Sequence, residues 1–128
     1  MNELTAGVSW VAVVVSFVLS FMLGWLWYSP KLFGKKWAEG VGVKLADGSA
    51  MPVFAMVTQA LGTFGLAWLF GITAAKETLL TIILVLTTFI LLIISNGKYA
   101  QKSNAAVSIE ASYIFVMGVV MVICQAVF

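Results

Sequence analysis

The sequence predicts an all-α, polytopic membrane protein, a bundle of four transmembrane helices with a short interfacial helix between the first and second. Three observations carry that prediction. Of 128 residues, 62 % are hydrophobic and only 9 % are charged, against roughly 45–50 % and about 25 % in an ordinary soluble domain. A chain this short leaves much of its surface exposed, and it has too few polar residues to cover that surface, which must therefore face lipid. The charges are also segregated. Glu3, Lys31, Lys35, Lys36, Glu39, Lys44, Asp47, Lys76, Glu77, Lys98, Lys102 and Glu110 leave four long apolar stretches at 6–28, 52–75, 78–95 and 105–128, within a single domain over 1–128.

Even the shortest stretch, 78–95, extends about 27 Å as a helix, close to the roughly 30 Å hydrocarbon core. The runs are continuous, whereas lipid-facing barrel strands alternate in segments of about ten residues, so helices follow. The first stretch differs from a secretion signal: Glu3 precedes it, no lysine does, and it runs on to Trp25, Trp27 and Tyr28. It is expected to remain as a helix. Within it Ala12, Ser16, Ser20 and Gly24 repeat every four residues, a small-residue stripe that permits close helix packing. Trp25 and Trp27 fall where the helix leaves the hydrocarbon, the level favoured by rings with one polar edge.

In the loop 29–51, Ser29 followed by Pro30 reads as an N-cap and first helical position, and Gly40 as a stop. A helix over 30–38 follows. Phe33, Trp37 and Val41 recur at spacing four beside Lys31, Lys35 and Lys36, the pattern of a helix that dips its apolar side into headgroups while its lysines meet anionic lipid. Asp47-Gly48 predicts a turn before the second span. There Ala55, Thr58, Gly62 and Gly65 form another small stripe, and in the third span Thr81, Thr88 and Ser95 share a face. Both stripes are expected to turn inward.

Lysine placement sets the orientation, because short basic loops stay cytoplasmic. Lys31, Lys35, Lys36 and Lys44 lie in the first loop and Lys98 and Lys102 in the third, while the opposite side holds Lys76 alone. The expectation is a multi-pass cell-membrane protein with both termini outside and the basic loops in the cytoplasm.

The run from Gly24 to Trp37, with WYSP at 27–30 and LFGK at 32–35, resembles the signature of the family called domain of unknown function 1761. Members are small integral membrane proteins. The resemblance implies a membrane location and a four-span layout, and brings no catalytic residue with it. Physically, Pro30 redirects the chain after the first helix. A functional reading of the same segment has Tyr28 and Lys35 or Lys36 forming a polar rim around a cytoplasmic opening.

Glu110 is the sharpest single residue, the one charge inside a predicted span. A carboxylate at that depth is expected to point inward and find partners. Gln59, Thr58, Asn96, Ser108, Ser112 and Tyr113 lie at a similar level, so Glu110, Asn96, Gln59 and Tyr28 form the candidate polar or ligand site. Two readings stay open. Glu110 is a proton or cation site, or it is tied structurally to Lys98, Lys102 or a lysine of the first loop.

Enzyme chemistry is not expected. The chain has no His and one Cys, and its acidic residues are too scattered for a carboxylate pair or a metal cage. No cofactor or metal is implied, and a net charge of +2 suits anionic lipid at the basic loops better than nucleic acid. The expected function is an integral membrane protein of unassigned activity, as a small homo-oligomeric transporter or channel using Glu110. The alternative is a structural or accessory protein that packs with itself, lipids or a larger complex. A carboxylate paired in a dry, closed bundle suits the second, and a solvent-connected cavity reaching Glu110 and Asn96 suits the first.

Overall fold

The computed structural model describes residues 2–29, 31–42 and 53–128. Six helices follow one another among the described residues, with no strand: α1 (Asn2–Thr5), α2 (Trp10–Trp27), α3 (Gly34–Val41), α4 (Val53–Ala75), α5 (Leu79–Tyr99) and α6 (Asn104–Val127). Four of them are long and apolar enough to cross a membrane, at Trp10–Trp27, Phe54–Ala75, Leu79–Tyr99 and Asn104–Val127. Their outer surfaces carry large exposed apolar side chains such as Phe54 (83 % exposed) and Leu80 (82 %). Water would penalise that surface by about 25 cal/mol per Å², and lipid would not.

Local chemistry sets the boundaries. The first span starts at Trp10 rather than residue 6, because Gly7 adopts φ +73° and Ser9 caps the helix, its hydroxyl accepting from the Ala12 amide at 3.3 Å. Ser29 does not cap α3. Its hydroxyl instead donates to the Leu26 carbonyl at 2.7 Å, finishing α2, and the Phe33 and Gly34 amides donate back to the Trp27 and Ser29 carbonyls at 3.1 and 2.9 Å. That tight turn delays the interfacial helix to Gly34. Pro30 and the Asp47-Gly48 turn lie outside the described residues. Gly40 does not stop α3 either; Gly42, at φ +78°, does. Gly40 is instead a contact point, where a Cβ would lie 2.5 Å from the Ala106 Cβ and collide with the Ser103 hydroxyl.

The third span runs on to Tyr99, past the predicted residue 95, because Gly97 is buried against Val107 of α6. Gln101, at φ +62°, then reverses the chain, and Ser103 caps α6 by accepting from the Ala106 amide at 3.0 Å. Helix α6 is the hub of the bundle, packing on α2, α3, α4 and α5. The core joins Val13, Ala67, Phe70, Ile82, Leu86, Tyr113, Met117 and Met121.

The polar stripes divide. Ala12, Ser16, Ser20 and Gly24 are all buried inside the protomer, with Gly24 seated against the Tyr113 ring. Such close packing leaves that face closed to any other chain. The expected inward turn of the other two stripes holds for one of them only: Ala55, Thr58, Gly62 and Gly65 face the space between α4 and α5, and the third-span stripe turns outward. Thr81, Thr88 and Ser95 are exposed and Ile82 and Leu86 point inward instead, while on α4 Thr63, Ala67 and Phe70 make the buried face and Ala55, Thr58 and Gly62 are accessible from the space between α4 and α5. The hydroxyls of Thr58 and Thr88 donate to the Phe54 and Leu84 carbonyls four residues earlier, at 3.0 and 2.9 Å. A hydroxyl satisfied by its own helix carries no unpaired group into lipid and needs no inward position.

Candidate functional site

Glu110 lies six residues into α6, roughly 9 Å from the helix start, and its side chain is 16 % exposed. The reversal at Gln101 brings Lys102 back over the first turns of α6. The Lys102 ammonium then meets both carboxylate oxygens, Nζ to Oε2 at 2.9 Å and to Oε1 at 3.2 Å. From the other side the indole N–H of Trp37 donates to Oε2 at 2.9 Å. Thus α3 and the α5–α6 turn converge on one carboxylate. Both donors are charge-assisted, the stronger kind of hydrogen bond.

An aromatic ladder continues from this clamp into the bundle. Tyr28 packs edge-on against Trp37 at 5.5 Å and against Tyr113 at 5.7 Å between ring centroids. The Tyr113 hydroxyl donates to the Ser20 carbonyl at 3.0 Å and accepts from the Gln59 amide at 3.4 Å. Residues of α2, α3, α4 and α6 are therefore linked at one level. Helix α4 leans on α2 while α5 leans on α6, and between α4 and α5, with α6 as floor, lies an open crevice of about 920 Å³. Ligand sites of small molecules fall at about 300–1,000 Å³. Its polar end is formed by Tyr28, Trp37, Gln59, Glu110 and Tyr113, and its body by apolar residues of α4, α5 and α6. Gly62 and Gly65 line it with nothing within 4 Å of where a Cβ would stand.

Of the candidate residues, Glu110, Gln59 and Tyr28 share this crevice and Asn96 does not. Asn96 is exposed on α5, because the burial of Gly97 turns the preceding side chain away. Ser108 and Ser112 belong to another face of α6. Of the residues expected at the lipid interface, Trp25 (75 % exposed), Lys31, Phe33, Lys35 and Lys36 are on the surface, whereas Trp27 and Trp37 turn inward. The Trp27 indole donates to the Ile109 carbonyl at 3.0 Å. Among the described residues no loop-one lysine lines the crevice, and the cation at Glu110 is Lys102. Trp37 as a ligand of Glu110 was not legible in the sequence; its only trace is an indole in an apolar stripe beside α6.

A family model described as "Protein of unknown function (DUF1761)" matches residues 11–126. The chain belongs to that family. No curated protein and no solved structure matches it.

Proposed function

We propose that this member of the DUF1761 family is a small transporter that admits a cationic, amphipathic molecule into the α4–α6 crevice, with Glu110 as exchangeable counter-charge. One observation carries the reading: the single acidic side chain within the four spanning helices lies at the polar end of an open, otherwise apolar crevice. An arriving ammonium or phosphonium replaces Lys102 at the carboxylate, so attraction is exchanged rather than lost. Lys102, 30 % exposed, reaches water on its own stem. The protomer leaves the crevice open between α4 and α5, and a second copy related by a two-fold axis closes it. No catalytic step, cofactor or nucleic acid enters this reading, and the basic loops rest on anionic lipid.

The test uses tetraphenylphosphonium, a lipophilic cation, with detergent-solubilised protein and tryptophan fluorescence as readout. Saturable quenching is expected, and Glu110→Gln is expected to weaken it at least about tenfold, the loss of one charge-assisted contact. Equal affinity in Glu110→Gln would sink the counter-charge role. The Lys102–Glu110 pair itself favours a second reading, an accessory membrane protein in which the pair is a structural clamp. Absence of saturable binding selects it.

The lysine distribution supports an orientation in the cell membrane with both termini outside. A reporter active only outside the cytoplasm, fused after Phe128, is expected to be active, and a silent fusion reverses the orientation.

A further inference from the structure

A second groove, of about 500 Å³, runs between α5 and α6 on a different face of α6 from the crevice. Its walls come from residues at spacing four: Ile90, Ile94 and Lys98 on α5, and Asn104, Ser108 and Ser112 on α6, with Ala111 and Phe115 completing the α6 wall. The order is polar at one end and apolar along the rest, apart from Ser112, whose hydroxyl donates to the Ser108 carbonyl of its own helix. Lys98, Asn104 and Ser108 sit where α5 ends and α6 begins, and the walls run on from Ser108 to Phe115 for about 10 Å along α6. Gly97 against Val107 brings the two helices together at the polar end. The trough opens on the surface that faces lipid, where Phe115 is 60 % exposed.

The polar end is built for an anion. The Lys98 ammonium donates to the Asn104 side-chain oxygen and to the Lys102 carbonyl, which leaves its third donor uncommitted. With its oxygen taken by Lys98, Asn104 presents its amide N–H groups outward. Ser108 adds a hydroxyl, and among the described residues no acidic side chain lines the groove. We propose that this groove binds one anionic phospholipid of the surrounding bilayer, its phosphate on Lys98, Asn104 and Ser108 and an acyl chain along Ile90, Ile94 and Ala111. The bound lipid fastens α5 to α6 at the end where Lys102 leaves for Glu110. The inference rests on the spanning helices and not on transport, and it uses no residue of the crevice, so either proposal can fail alone.

The experiment is native mass spectrometry of the purified full chain titrated with phosphatidylglycerol, with phosphatidylcholine and inorganic phosphate as separate arms. One phosphatidylglycerol is expected to be retained per chain, with phosphatidylcholine held more weakly and inorganic phosphate neither retained nor able to displace the lipid. Lys98→Gln is expected to lower retention about tenfold. Ala111→Phe, which fills the trough and leaves every charge in place, is expected to lower it by a similar factor. Lys31→Gln removes an exposed lysine outside the groove and is expected to leave it unchanged. Circular dichroism checks that each variant keeps its helices. Equal losses from Lys31→Gln and Lys98→Gln would show diffuse attraction to basic loops and overturn the site, as would unaltered retention in either groove variant or displacement by free phosphate.

Discussion

Gly34→Ala is expected to destabilise the protein by about 2–3 kcal/mol and to detach α3 from α6. A Cβ at Gly34 would lie 2.7 Å from the Ser29 carbonyl oxygen and closer still to that of Tyr28. Both obstacles are backbone, and neither yields by changing a rotamer, so the turn between α2 and α3 must open. Opening it withdraws Trp37 from Glu110 and Tyr28 from Tyr113, contacts that hang on the same turn. Denaturation in increasing dodecyl sulfate, followed by circular dichroism, measures the loss. Gly62→Ala is the internal control. Its Cβ meets nothing within 4 Å, and alanine is the better helix former by roughly 0.5–1 kcal/mol. This variant is expected to match or exceed the parent; a loss comparable to that of Gly34→Ala would mean that a second copy fills the crevice instead of closing it over open space.

The Lys102–Glu110 pair is expected to behave asymmetrically. Lys102→Met leaves a carboxylate 16 % exposed with Trp37 as its remaining donor. Breaking a fully buried pair costs about 3–5 kcal/mol; with the lysine 30 % exposed, solvent reduces that to about 2 kcal/mol. Glu110→Gln is milder, about 1 kcal/mol or less, because a released lysine swings into water while its amide partner still accepts from Trp37. The double variant is expected to resemble Glu110→Gln alone. A double-mutant cycle under the same denaturation reads the coupling, and additive losses would show that the two side chains do not support one another.

Much of this architecture was legible in the sequence because it depends on coarse quantities. Charge-free runs and their lengths mark the spans, and the every-fourth repeat of Ala12, Ser16, Ser20 and Gly24 marks the buried side of α2. Glu110 stood out because a lone carboxylate at membrane depth demands partners. What was not legible is direction. Trp25 and Trp27 are equally suited to a lipid interface, but two residues turn a helix by about 200°, so only one of them can reach α6. The structure gives Trp27 the Ile109 carbonyl and leaves Trp25 outside. Thr88 misled for a related reason, since a threonine hydroxyl bonded to its own helix fits either face. Nor did the apolar pattern foretell that α4 leans on α2 and α5 on α6, the division that opens the crevice and leaves Asn96 outside it.

Occupancy of the crevice, anchored by Glu110, is most directly measured by chemical protection. In a Cys124→Ala background, Gly62→Cys places one thiol on the crevice wall, where the structure has room for it. Tetraphenylphosphonium is expected to slow its modification by N-ethylmaleimide, and Glu110→Gln to abolish that protection. An unchanged rate, or equal protection without the carboxylate, would contradict the account.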